Sequence, residues 1–453
     1  MNVSDQKCLT AVVFLGYYNF VNIQGVRILN PIILKSSCNA GLNDTDIYNA
    51  IKQSLDDQKK YFKTVLLIPP DLSRMHSGGG RITAMYYNLL KDTCVVDVLP
   101  ALGTHMAVTD EEKLMFFGET IPFDRFIAHN WRTDVVKLGE IPASFVSEVS
   151  QGLIDEPIEV EVNKLIVSGF YDLIISIGQV VPHEVVGMAN YSKNIFVGCG
   201  GKNMIDKTHM LGAVYGMERM MGKDHSPVRM VLDYAEDKFL TDVPLMYLFT
   251  VTTCDDNGVA IQGLFIGRER SVFEQAVALS QEKNINFLKK PIKKVIAWLD
   301  PHEFKSTWIG NKAVYRTRMA VADDGELIIL APGVRQFGED MLNDALIRKY
   351  GYVGRSKILE LYKENSDLQE NRSVAAHLIH ASSDGRFKIT YAVKHLTKEE
   401  IEKVNFVYMP YEEAIAKYDP EKLRDGFNIT EDGEEIYYIS NPALGLWACE
   451  DRF

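Results

Sequence analysis

Val65-Leu66-Leu67-Ile68-Pro69-Pro70-Asp71-Leu72-Ser73-Arg74 is the stretch that decides the fold: an aliphatic run, two prolines that stop it, then a polar turn carrying a carboxylate and a guanidinium. Such a run reads as a short buried strand ending in a loop. The plan recurs twice. Cys94-Val95-Val96-Asp97-Val98-Leu99 runs into Pro100 and then Gly103-Thr104-His105, and Leu173-Ile174-Ile175-Ser176-Ile177-Gly178 runs into Pro182-His183. Between the first two runs, the apolar spacing from Ile82 to Leu90 predicts a helix, so strand, helix and strand imply a parallel sheet. The chemical groups therefore collect at the carboxyl ends of strands, where open α/β sheets bind ligands.

At 453 residues the chain exceeds the size at which one core keeps growing, and two domains are expected. Residues 272–284 read as a helix leading to Lys289-Lys290-Pro291, an inter-domain crossing. Beyond it, Lys294 to Leu299 and Leu327 to Pro332 read as strands, with a helix opened by Gly310-Asn311-Lys312-Ala313-Val314 between them. The expected fold class is thus α/β: two α/β domains with mainly parallel sheets and an active site in the inter-domain cleft. Residues 1–285 form the first domain and 286–429 the second.

A composition of 46% hydrophobic and 24% charged residues is that of an ordinary globular protein. The formal net charge of -12 argues against nucleic acid as a partner, since phosphate binding needs a basic face. A small anion held by a few local basic groups remains compatible with it. Cys8, Cys38, Cys94, Cys199, Cys254 and Cys449 show no C-x-x-C pair, and read as reduced thiols of a cytoplasmic protein. No basic-apolar-small order marks a signal peptide, and no window of about eighteen apolar residues suggests a membrane span. Oligomeric state is not legible.

Three imidazoles, one amine and one guanidinium follow the strand runs: Arg74, His105, His183, Lys193 and His209. Lys193 lies ten positions after His183, and His209 sixteen after Lys193. In this order and spacing, Asp71/Arg74, Gly103-Thr104-His105, Pro182-His183, Lys193 and His209 resemble the motifs of the lactate racemase family. That family inverts 2-hydroxy acids with a nickel-pincer nucleotide, the Ni(II) pyridinium-3-thioamide-5-thiocarboxylic acid mononucleotide.

The resemblance implies roles. Lys193 would hold the cofactor through a thioamide link and His209 would complete the planar nickel site, a geometry suited to nickel with soft and imidazole donors. His105 and His183 would be the two acid/base groups, since imidazole titrates near neutrality. Arg74 and Lys312 would bind the substrate carboxylate. Asp71 would orient neighbours or the cofactor ribose, and the backbone around Gly198 and Gly200 would receive its phosphate. The tail 430–453 would return to the first domain, and the cofactor's biosynthetic enzymes would be needed for maturation. Removing the C2 hydrogen as hydride avoids the dianion that proton loss beside a carboxylate would create.

Two positions depart from the family pattern. Asn190-Tyr191-Ser192 stands where a Ser-Gly-Gly run is usual, and Ile309 where glutamine is usual. The tyrosine adds bulk beside the lysine, and both changes point to a 2-hydroxy acid larger or more polar than lactate, such as a sugar acid.

Singly, each of these residues has a blander reading. His76, His129, His225, His302, His377, His380 and His395 are read as structural, and the methionines Met210, Met217, Met220, Met221 and Met230 as core packing. Two other functions stay open: a cofactor-free or divalent-metal racemase or lyase working by proton transfer, which would draw on clustered carboxylates, and a homologue that binds cofactor or sugar acid without turnover.

Overall fold

The computed structural model describes residues 10–12, 22–23, 26–27, 31–56, 61–255 and 258–453. The chain divides into two compact units, Met1–Ile205 with Lys223–Lys283, and Asp206–Gly222 with Asn284–Phe453. The sequence reading puts residues 206–222 in the first domain, and the family resemblance implies the same of the tail 430–453, whereas this division assigns both to the second unit. Packing gives the reason. Met210, Met217 and Met221 belong to the second unit's apolar core, and the tail strand Leu446–Cys449 pairs in parallel with Ile285–Leu288.

The first unit is built on a seven-stranded sheet ordered Thr10–Val12, Ile32–Ser36, Gly258–Gly267, Leu245–Asp255, Leu173–Gln179, Thr64–Ile68 and Val95–Val98. The last four strands run parallel; the other pairings are antiparallel. Val65 to Ile68 are fully buried and Leu173 to Gln179 are buried along their whole length. Strands covered on both faces read as continuous aliphatic runs, which is why they stand out in the sequence. Pro69 and Pro70 then end the first of them, having no N–H to give a ladder.

After Thr64–Ile68 the chain moves outward to Val95–Val98, and then returns to the other side as Leu173–Gln179. Strand order therefore reverses beside Thr64–Ile68. Such a reversal is a switch point, the place at the carboxyl ends of the strands where open α/β sheets bind ligands. The helix Gly79–Leu90 covers the strands with Ile82, Tyr86 and Leu90, residues four apart on one buried face.

The second unit holds a six-stranded sheet ordered Val407–Pro410, Lys388–Val393, Val321–Ala331, Ile292–Trp298, Glu435–Ile439 and Gly426–Ile429. All pairs are parallel except the edge pair Gly426–Ile429 with Glu435–Ile439. The two strands read from the sequence are adjacent, with Ile296 opposite Ile328. The expected helix between them starts earlier than Gly310: Ser306 caps Thr307–Gly310, and a second short helix, Lys312–Thr317, follows.

Among the described cysteines, Cys94, Cys199, Cys254 and Cys449 are free thiols. Cys38 is disulfide-bonded, which departs from the reading of reduced thiols, because the lack of a C-x-x-C pair does not exclude bridges between distant positions. Among the described residues no helix is long and apolar enough to cross a membrane.

Packing of the sheet-covering helix is tight enough to test. A Cβ on Gly80 would collide with the carbonyl oxygen of Phe116, a backbone atom of the helix Asp110–Phe117. Gly80→Ala is expected to lower stability by about 1–3 kcal/mol despite its better helix propensity, because overpacking outweighs it. An unchanged midpoint in urea denaturation would contradict this.

Candidate active site

Three loops at the switch point bring the predicted groups of the first unit together. In the first loop, Asp71 precedes two short helical turns within Leu72–Ser77, separated by a kink at Arg74, whose N–H donates to the Asp71 carbonyl at 3.1 Å. That stretch is pinned to the sheet from below, since Thr250 Oγ1 donates to the Ser77 carbonyl at 2.7 Å. The second loop runs alongside. Ala101 N–H donates to the Pro69 carbonyl at 2.8 Å, and Gly103, at φ 58°, donates to the Gly198 carbonyl at 2.7 Å. This left-handed turn delivers His105, whose Nδ1 meets Asp71 Oδ2.

The third loop is a small hairpin in which Pro182 pairs with Met188 and His183 with Gly187. His183 is buried, and its Nδ1 accepts from the Val185 N–H at 3.1 Å. The chain then passes through Asn190 and Tyr191, at φ 73° and 57°, before reaching Lys193. These two residues therefore occupy the left-handed conformation for which glycine is the usual choice. Their strain is held by one buried side chain, Arg229, whose Nη2 donates to the Met188 and Asn190 carbonyls at 2.7 and 3.0 Å, and whose Nη1 donates to Ser192 Oγ at 2.8 Å.

Tyr191 does not crowd the lysine as the sequence reading expects. Its ring stacks on Phe273 at 5.1 Å between centroids and also packs on Tyr247, so its bulk enters the core of the first unit. Arg229 is the residue that sequence reasoning misses. It follows Lys193 by 36 positions on the helix Pro227–Phe239, and nothing local in the sequence marks it.

Electrostatics tie the loops into one site. Burial raises the Asp71 carboxyl, but His105, by charge and hydrogen bond, together with Ser73 and Arg74, brings it down to about 2. Both Asp71 oxygens are engaged, Oδ1 accepting from Ser73 Oγ at 2.6 Å, so Asp71 serves His105. Burial and the nearby Arg74 push the Lys193 ammonium down to about 8, against the opposing pull of Glu184 and Asp71. Lys193 is thus in electrostatic reach of the Asp71, Arg74 and Glu184 groups.

Gly198 and Gly200 serve close packing. A Cβ on Gly198 would lie 2.7 Å from Ala101 Cβ, one on Gly200 would collide with the Phe196 carbonyl, and the Gly200 N–H turns back toward Val197. His209, on the helix Lys202–Tyr215, and Lys312, at the start of Lys312–Thr317, belong to the second unit. Histidines read as structural include His129, bonded to Gly200 and Asn163, and His377, held by Tyr315 and Tyr352 and stacked on Trp308.

Residues 43–221 match the family described as the lactate racemase N-terminal domain. A crystal structure of a Thermotoga maritima protein is 23% identical, with a TM-score of 0.77 over 91% of this chain and 99% of that one. The lactate racemase apoprotein from Thermoanaerobacterium thermosaccharolyticum is 18% identical, with a TM-score of 0.67 over 90% of this chain and 93% of that one. At these identities the two structures establish the shared two-unit α/β fold. No curated protein matches the sequence.

The depressed lysine gives a direct test. Labelling of Lys193 by an amine-acylating reagent is expected to rise with a midpoint near pH 8, about two units below ordinary lysines. Arg74→Met removes an opposing positive charge and should move that midpoint upward; a wild-type midpoint at the ordinary lysine value would contradict the site's electrostatics.

Proposed function

We propose that this chain, which carries a lactate racemase N-terminal domain over residues 43–221, is an isomerase that inverts C2 of a small anionic 2-hydroxy acid with a nickel-pincer nucleotide. The observation that carries the reading is the convergence of Asp71, Arg74, His105 and Lys193, with Glu184 next to His183, at one switch point of the sheet.

The residues suit the cofactor. A lysine whose ammonium form is destabilised to about 8 is partly neutral at working pH, the state needed to form a covalent link. His209 supplies an imidazole donor of the kind nickel takes. When bound, the nucleotide would supply a hydride acceptor for C2. The chain's own groups do the rest. Arg74 and Lys312 pair with the substrate carboxylate, Arg74 as a planar fork and Lys312 as a point charge. His105 and His183 attend the hydroxyl, and Asp71 orients His105.

Because the Tyr191 ring lies in the core, the case for a substrate larger than lactate rests on Ile309 alone, and short 2-hydroxy acids and sugar acids are the class to screen. The proton-transfer alternative would draw on clustered metal ligands. Among the described residues the three-ligand group is Asp224, His225 and Glu274, which includes none of the convergent residues.

Protein co-produced with the cofactor's biosynthetic enzymes is expected to carry a mass adduct that Lys193→Ala abolishes, while His209→Ala should lose nickel by elemental analysis. An adduct persisting in Lys193→Ala would sink the attachment. Substrate deuterated at C2 should turn over more slowly and keep its deuterium in the inverted product, since hydride does not exchange with water. Rapid entry of solvent hydrogen at C2 would favour proton transfer instead.

A further inference from the structure

We infer that Ser192 is a positioning residue for Lys193: its hydroxyl, set between Arg229 and Asp233, fixes the backbone at the lysine against the strained turn that precedes it. The bearing of this role on cofactor attachment rests on the function proposed above. The position of the lysine does not.

Ser192 is buried and neutral, and the helix Pro227–Phe239 occupies its hydroxyl both as acceptor and as donor. Arg229 Nη1 donates to Oγ at 2.8 Å, and Oγ gives its one hydrogen to Asp233 Oδ1 at 2.7 Å. Arg229 and Asp233 stand four apart and so share a face of that helix. Asp233 is held in turn, because its Oδ2 pairs with Arg270 Nε at 3.1 Å. The helix is also tied to the segment it supports, since its capping Ser226 Oγ donates to the Val186 carbonyl at 2.9 Å. The Ser192 side chain therefore cannot turn without breaking two hydrogen bonds to charged groups, the stronger kind.

What this anchor opposes lies just upstream. Asn190 and Tyr191 hold φ of 73° and 57°, and a bulky residue such as tyrosine enters that region only at a cost. Stacking on Phe273 fixes the Tyr191 ring, but not the backbone that follows it. Ser192 is where the chain regains a fixed support before the lysine.

Support resumes directly after it. The Asn194 N–H donates to the Tyr191 carbonyl at 2.9 Å, and the Cys199 N–H donates to the Asn194 carbonyl at 3.0 Å, closing the π-helical turn Asn194–Gly198. Such turns are rare and frequent at functional sites. Lys193 thus sits between two anchored neighbours, and where they put its backbone decides what its ammonium meets: burial and Arg74 destabilise the charge, while Glu184 and Asp71 oppose them.

The test is the labelling midpoint of Lys193 in cofactor-free full-length protein, read with an amine-acylating reagent by peptide mass spectrometry across pH. Ser192→Ala removes no charge, so a moved midpoint reports a moved lysine rather than a lost field. With the hydroxyl gone the turn relaxes and the ammonium gains water, and the midpoint is expected to rise from near 8 by about half a pH unit or more. Asp233→Ala is the second variant, which decides the matter where Ser192→Ala does not fold. Loss of its negative charge alone lowers the midpoint, whereas loss of the Ser192 anchor raises it. A folded Ser192→Ala protein with the wild-type midpoint, or an Asp233→Ala midpoint that does not rise, would overturn the inference. In protein co-produced with the cofactor's biosynthetic enzymes, Ser192→Ala is expected to carry a smaller fraction of adduct than wild type, and an equal fraction would overturn the bearing on attachment. A wild-type protein with no adduct on Lys193 would overturn the attachment itself, and the labelling midpoints would still decide the positioning role.

Discussion

A single buried guanidinium, that of Arg229, holds the part of the structure on which the site depends. It satisfies the Met188 and Asn190 carbonyls and the Ser192 hydroxyl in one planar fork. Those groups belong to a segment whose two central residues, Asn190 and Tyr191, stand in the left-handed region. Such a backbone persists only where its surroundings over-determine it. Arg229 is itself fully buried, and its charge is balanced by Asp233, 3.8 Å away, which also pairs with Arg270 at 3.1 Å. Removing one member of such a set leaves an uncompensated buried charge, so the cluster is retained or lost together.

The consequence reaches Lys193 directly. With the preceding residues fixed, the lysine is delivered into the field of Arg74, Glu184 and Asp71 and cannot relax fully into water. Tyr191 contributes from the other side of the chain, anchoring the same turn by stacking among Phe273, Tyr247 and Phe249. A glycine run would give this turn its conformation without cost in sterics; here the same conformation is reached by a core-anchored tyrosine and a buried arginine.

The sheet supplies the other constraint. Strand order reverses beside Thr64–Ile68, and the loops that follow the three adjacent parallel strands each carry a chemically active group. Val65 to Ile68 and Leu173 to Gln179 are buried on both faces, and the histidines are set on a left-handed Gly103 turn and in a closed hairpin. The Asp71 carboxylate meets the Nδ1 of one ring and the Val185 amide donates to the Nδ1 of the other, so two chemically identical side chains have different surroundings.

The sequence by itself determined the strand runs at 65–68, 95–98 and 173–178, the helix between the first two, the α/β class, and the motif residues at the strand ends. It could do so because the doubly covered strands at 65–68 and 173–178 are continuous aliphatic runs and because prolines and glycines punctuate the runs locally. Only the tertiary structure decided what depends on distant partners. That Tyr191 enters the core depends on Phe273 and Tyr247, and that Asp71 serves His105 depends on a loop 34 residues later. That Gly198 and Gly200 leave no room for a side chain depends on Ala101 and on the turn's own carbonyls. Residues 206–222 and the tail join the second unit through a methionine core and a strand pair that no local pattern announces. Periodicity and turn chemistry are local and so are written in order along the chain, whereas hydrogen-bond partners and burial are properties of residues that only folding makes neighbours.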